Sequence, residues 1–233
     1  MNSAAAGALV KVRRQSRPYR ALRRTTTGNH PRGALHAGCM RRAQLQATGQ
    51  GHNQMQRRLH IGGHQARSGW EILDARAGPH VDHVGNALDL RRFEDGSFAE
   101  VYASHVLEHF DYADELPRAL AEWHRVLVPG GVLRVSVPDL DILAHLLLQR
   151  HVFDVNQRFQ LMRMIFGGHT HEHDHHRVGL NQDFMAAYLG RAGFTDLRRV
   201  SRHALFDDTS ETVVAGTPIS LNLNAYKPAL VAA

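Results

Sequence analysis

The sequence has one cysteine in 233 residues, Cys39. That excludes an intrachain disulfide and any zinc site built from cysteines, and it fits a reducing compartment. No apolar run approaches the roughly 20 residues that cross a bilayer, and no apolar h-region of a secretory signal is read. The expectation is therefore a cytoplasmic chain with no membrane partner. Acidic side chains are missing from residues 1–58, which carry twelve of the 28 Lys and Arg. The remaining 175 residues hold sixteen basic and all 22 acidic side chains, a balance of −6. The basic pI near 10.1 thus belongs to the N-terminal segment. A nucleic-acid-binding domain would carry its basic surface on the fold itself, so no nucleic-acid partner is expected.

Residues 1–56 also have few large apolar side chains, so they cannot bury enough surface to offset their ordering entropy, and a disordered tail is expected. An Arg-rich, acid-free segment reads as an organellar transit peptide, as a basic arm for an acidic partner, or as sequence ahead of a start at Met55. A short tail is expected again at 229–233. Between them, 57–228 reads as one α/β domain with an inserted cover at 140–180.

The organising stretch is Phe98–Pro138. Two apolar runs, Glu100–Ala103 and Val132–Val137, flank a helical segment whose Leu116, Leu120, Trp123 and Leu127 share one face. Asp111 or Asp114 is placed to cap it and Pro129-Gly130-Gly131 to stop it. Strand, crossover helix and strand make a βαβ unit. Further strands are read at Arg58–Ile61, Trp70–Asp74, Val81–Gly85, Phe194–Val200 and Ile219–Tyr226, the last alternating apolar with polar. Helices are read over 140–149, over a segment bearing Val155, Phe159, Met162 and Phe166, and over one bearing Phe184, Tyr188 and Ala192, capped by Asn181 or Asp183. Only six residues, His64–Gly69, separate the first two strands, too few for a crossover helix. The expected fold is a Rossmann-like, mostly parallel seven-stranded sheet with helices on both faces. Its first crossover helix is shortened or absent, and its last strand is antiparallel.

The run SHVLEHF…ALAEWHRVLVPGGVLRVSVPD resembles the central signature of class I S-adenosylmethionine-dependent methyltransferases. Over Leu59–Lys227 the chain is also similar to a small group of predicted methyltransferase-domain proteins that share LHIGG, GW…LD, YASHVLEH, VPDL, FGG, DxH…GL, AGF, LF-DTS and ISLN. The family's G-x-G-x-G loop is absent. The resemblance implies S-adenosylmethionine as cofactor, held by Gly62 and Gly63 after the first strand, by Asp74 at the ribose hydroxyls, and by Asn86, Ala87 and Leu88 at the adenine. Each has a plainer reading: Gly-Gly and Asp74 as turn formers, and Asn86 as a departure from the family's acidic residue.

Ser104 and His105 leave the fourth strand beside the expected methyl, Ser104 on the cofactor side and His105 as a general base. Alternatively His105, Glu108 and His109 only stabilise the turn into the helix. Asp139 ends the next strand, where it would orient a substrate or cap a helix. Asp174 and His176 form a carboxylate–imidazole pair assigned to catalysis, with His169 on the substrate side. The expected reaction is methyl transfer to an oxygen or nitrogen of a small molecule or glycan, with no metal ligands assigned. The competing reading is a non-catalytic Rossmann-like scaffold, or a metal-responsive module using the histidines between His169 and His176, His171 among them.

Overall fold

In a computed structural model, residues 57–170 and 172–230 are described. The expected tail at 1–56, the last three residues of the tail expected at 229–233, and His171 lie outside the described residues. The strands are β1 (Arg58–Ile61), β2 (Trp70–Asp74), β3 (His83–Val84), β4 (Phe98–Ser104), β5 (Leu127–Pro138), β6 (Thr195–Val200), the short β7 (Val213–Val214) and β8 (Thr217–Pro218), and β9 (Ser220–Tyr226). The helices are α1 (Glu115–Val126), α2 (Leu140–Leu148), α3 (Val155–Phe166) and α4 (Gln182–Arg191). Seven strands form one sheet in the order β3-β2-β1-β4-β5-β9-β6. The pairs from β3 to β5 are parallel, and β9 runs antiparallel to both its neighbours. This is the expected Rossmann-like sheet. Among the described residues, no helix is long and apolar enough to cross a membrane.

The two faces of the sheet differ in kind. Strand alternation sends Leu59, Ile61, Val101, Ala103, Leu133, Val135, Leu221 and Leu223 to one side. There they join Leu116, Leu120 and Trp123 of α1 and Met185 and Leu189 of α4 in one core. The other side carries a polar row across four strands, His60, Tyr102, Arg134 and Asn224, each paired in register with the next. Ser104, Ser136 and Asn222 form the row beside it. Helices on both faces were expected. The connections at 62–69, 75–82 and 85–97 contain none, whereas α1 and α4 pack on the apolar face. The polar face is covered instead by the segment 201–212. Phe206 stacks on Tyr102 with centroids 5.4 Å apart, and Asn222 Nδ2 donates to the carbonyls of Ser201 and Ser210. That cover is why Asn222 and Asn224, which alternation alone would leave half-exposed, are buried.

Three local expectations shift. α1 ends at Val126 rather than at the Pro-Gly-Gly turn, and Leu127 begins β5. Pro129, Gly130 and Gly131 sit within that strand, in an irregular stretch where β5 spends five steps, Leu127 to Val132, against two on β4. The helix end is held by Lys227, whose Nζ donates to the carbonyls of His124, Arg125 and Leu127 at 2.9, 3.3 and 2.7 Å. Asp114 takes the N-cap position of α1, but its side chain accepts no cap bond. Asp111 instead accepts from Ala113 N, while its own N–H goes to Glu115. Asn181, not Asp183, caps α4. In α3 the helically spaced Val155, Phe159 and Phe166 are all more than half exposed, and Leu161 is the buried residue.

Candidate active site

Ligands of open α/β sheets bind beyond the carboxyl ends of the strands, and a cleft of about 800 Å³ lies there. Its walls include Gly62 after β1, Asp74 at the end of β2, Gly85–Leu88 after β3, and His105 and Val106 after β4. Five expected cofactor residues, Gly62, Asp74, Asn86, Ala87 and Leu88, therefore share one cavity. Gly62 has φ +74°, and a Cβ there would meet Val106 Cγ2 at 2.7 Å, so both backbone and space require glycine. Asp74 Oδ1 accepts from Arg76 N at 2.8 Å, and Asn86 Oδ1 from Leu88 N at 2.9 Å. Both side chains are thus turn formers and cleft residues at once. The Asn86 carbonyl oxygen is already engaged by its turn, which leaves the amide NH2 as its unshared donor.

Two expected cofactor residues lie elsewhere. Gly63 does not line the cleft. A Cβ there would meet the His60 ring at 2.4 to 2.7 Å, so this glycine makes room for a buried imidazole. Ser104 points to the polar face, where its hydroxyl donates to Asp208 at 3.2 Å.

A second cavity of about 330 Å³ adjoins the cleft, and His105 and Asp174 line both. Its other walls are Gln160, Arg163 and Met164 of α3, the 167–176 loop through Gly167, Gly168 and His176, and Pro138, Thr209, Thr212 and Ile219. The segment 140–180 thus forms one side of this cavity. Gln160, Arg163, Thr209 and Thr212 were not singled out by their sequence. Only the Asp-Thr-Ser run at 208–210, one of the shared motifs, carried a signal.

His105 adopts φ 53°, which aims its ring across the partition between the cavities. Its Nε2 lies 3.0 Å from Ser220 Oγ, which itself donates to Thr209 O at 3.1 Å. Ser220 has one proton, so His105 Nε2–H must be the donor and Nδ1 carries the lone pair. That nitrogen faces Glu108 Oε1 at 3.4 Å. Burial, then the neighbouring His176, lower the His105 pKa to about 4, so the ring is neutral at pH 7. Glu108 is 1 % exposed and neither carboxylate oxygen has a hydrogen-bond partner. Burial pushes its pKa up to about 8.

Asp174 does not orient His176 in the way expected. Its carboxylate accepts from Gly168 N, Thr170 N and Thr170 Oγ1, which ties the loop into a ring. His176 is held by its Nδ1 at the Ile165 carbonyl, 3.3 Å away, and burial followed by His109 lowers its pKa. Asp139 is buried and lines neither cavity. It caps α2 through Asp141 N and pairs with Arg199 at 2.9 Å, so the capping role wins over substrate binding. His169 is exposed and turned to the Phe166 carbonyl, away from both cavities.

A comparison with curated protein sequences gave no match. Solved structures with a similar fold include a Bordetella parapertussis protein described as a possible exported protein. It is 15% identical, with a TM-score of 0.45, over 74% of this chain and 62% of that one. This chain therefore spans less than two thirds of that protein's length. A SAM-dependent methyltransferase from Archaeoglobus fulgidus is 15% identical, with a TM-score of 0.49, over 74% and 86%. The 1,6-didemethyltoxoflavin-N1-methyltransferase of Burkholderia thailandensis, solved with bound S-adenosylhomocysteine, is 16% identical, with a TM-score of 0.47, over 74% and 71%. Residues 65–135, which run from the β1–β2 connection to the middle of β5, match the model of a methyltransferase-domain family.

Proposed function

We propose that the chain is an S-adenosylmethionine-dependent methyltransferase acting on an oxygen or nitrogen of a small molecule or glycan. The observation that carries this reading is the pairing of cavities. The larger cleft beyond β1–β4, with Asp74 at its β2 edge, meets a smaller, mainly apolar cavity across His105 and Asp174. The donor set fits the cofactor. Asp74 offers a carboxylate to paired hydroxyls, Ala87 and Leu88 offer apolar contact, and Gly62 keeps the backbone open beside the cleft. When bound, the cofactor supplies an electrophilic methyl group.

The chain's own contribution is mainly placement, which for such a displacement supplies much of the rate. Gln160, Arg163, Thr209 and Thr212 give the smaller cavity amide, guanidinium and hydroxyl groups suited to a hydroxylated acceptor. Of the two neutral imidazoles at its wall, His176 keeps an Nε2 lone pair able to take up an acceptor proton, whereas the lone pair of His105 faces Glu108. Calorimetry with S-adenosylmethionine and S-adenosylhomocysteine tests the reading. Binding is expected to be lost in Asp74→Ala, and absence of binding by the intact chain overturns it.

A further inference from the structure

Glu108 is the least explained side chain in the fold. A fully buried carboxylate ordinarily has hydrogen-bond donors or a cation opposite it, yet both its oxygens lack a partner. His105 Nδ1, 3.4 Å away, carries a lone pair, so it can face the protonated acid but offers the ionised carboxylate no proton. Two further imidazoles converge on the same point, and ligand atoms of Glu108, His109 and His176 all lie within 4.8 Å of one another.

The two imidazoles are presented in the manner of metal ligands. His109 Nδ1 faces the His175 carbonyl at 3.1 Å, and His176 Nδ1 faces the Ile165 carbonyl at 3.3 Å. A carbonyl only accepts, so each Nδ1 bears the proton and each Nε2 the lone pair. Histidines that bind metals characteristically donate their other ring N–H in this way, which fixes the tautomer and aims the ring. The backbone supports the same geometry. Arg177 N and Val178 N both donate to the Glu108 carbonyl, at 2.8 and 3.3 Å, and His176 N donates to Phe166 O at 3.1 Å. The 3-10 turn Leu107–His109 and the loop end at His176 are thereby clamped together, although 66 residues separate His109 from His175 in the chain.

From this arrangement we infer that Glu108, His109 and His176 form a binding site for a divalent first-row transition metal, zinc in the first instance. Two imidazoles and one carboxylate form a protein ligand set for zinc that leaves a coordination position open. Metal–ligand bonds of about 2.0–2.1 Å put tetrahedral ligand atoms about 3.3 Å apart. Loading therefore asks the three groups to close by up to about 1.5 Å, within the reach of side-chain rotation. His109 lines the larger cleft and His176 the smaller cavity, so the ion would lie at their partition, with its open position available to water or an oxygen donor. Coordination would commit His176 Nε2, so that proton uptake from an acceptor would pass to a water or oxygen donor at the open position. Among the described residues, the exposed His169, His173 and His175 are not part of this ligand cluster.

The test uses the full chain purified without a polyhistidine tag, stripped with a chelator and titrated with zinc sulfate in the absence of any methyl donor. Its outcome is thus independent of whether the methyltransferase reading holds. One equivalent of zinc is expected, with a rise in thermal midpoint of about 5–10 °C at saturating metal. Glu108→Gln, which keeps shape while removing charge, and His176→Ala should each weaken binding at least about tenfold. The double variant His173→Ala/His175→Ala should retain the equivalent. Cobalt(II) loaded in place of zinc should show the visible absorption of a low-coordinate site and lose it in Glu108→Gln. No zinc-dependent shift in the intact chain overturns the inference. So does an equivalent that survives Glu108→Gln and His176→Ala but disappears in the loop double variant.

Discussion

Tyr102 donates its phenolic proton to Asp208 Oδ2 at 2.7 Å, joining the middle of the sheet to a segment 106 residues later in the chain. Asp208 also accepts from Ser104 Oγ and from Ser210 N. Its burial favours the neutral acid, yet Ser210, Tyr102 and Ser104 together hold its pKa below the ordinary carboxylate value. The sheet face without helices is thus closed by a charge-assisted network. Tyr102→Phe removes one of the donors that hold the partly buried Asp208 carboxylate. A loss of about 2 kcal/mol is expected, read as a lower urea midpoint at unchanged slope. A change below about 0.5 kcal/mol would mean that the 201–212 segment is held by Phe206 and Asn222 rather than by Asp208.

Lys227 stands where a helix C-cap glycine would ordinarily be. Its three bonds to the last carbonyls of α1 and the first of β5 also place a cation at the negative end of the helix dipole. Lys227→Met keeps the aliphatic stem and removes the donors. It should cost about 1–3 kcal/mol and raise hydrogen exchange at the end of α1 before the rest of the helix. Uniform exchange along α1 would argue against a capping role.

Much of this architecture is written in local pattern. The apolar stripe of α1, the apolar run of β5 and the alternation in β9 are visible in one dimension, and so is the carboxylate at the end of β2. What periodicity reports is which residues share a face, and it is silent on what covers that face. The stripe Val155, Phe159 and Phe166 is helical in spacing and exposed in fact. His60, Tyr102 and Arg134 read as the polar half of alternating strands, yet they lie under or beside a segment that begins more than 60 residues beyond β5. The same limit applies to the site. Asp74 and Asn86–Leu88 follow directly from strand ends, whereas the roles of Asp174 and Glu108 depend on a loop folding back from residue 166 to residue 176.

Asn86 offers a test of the cofactor side. Its carbonyl oxygen already accepts from Leu88 N, so an amine reaching the cleft meets an acceptor that is shared. Asn86→Asp keeps the turn with one oxygen and presents the other, charged, to the ligand. S-adenosylhomocysteine should then bind about fivefold more tightly, on the order of 1 kcal/mol. Equal or weaker binding in calorimetry would place the adenine away from residue 86.

His60 makes stability depend on acid. The ring is 4 % exposed, lies 4.0 Å from the Phe206 ring centroid, and has an Nδ1 without a partner. Burial lowers its pKa from 6.5 to about 4, opposed by Asp208 and aided by His64. Above about pH 6.5 the ring is neutral in the folded and unfolded chain alike, and its contribution to stability is complete. As pH falls from 6.5 toward 4 the unfolded chain binds a proton that the folded chain refuses, so stability declines. Below about 4 both states are protonated and the decline ends. The full span corresponds to about 3 kcal/mol at most. His105 acts with the same sign in the same window, and Glu108, with its raised pKa, acts with the opposite sign above about 4.5. The clean measurement is therefore the difference between the parent chain and His60→Gln, in which the contributions of those two groups cancel. Urea midpoints taken every half pH unit should show this difference shifting in favour of His60→Gln as pH drops from 6.5 to 4. A difference that stays constant across that range would mean the imidazole is already protonated, or hydrated, in the folded protein.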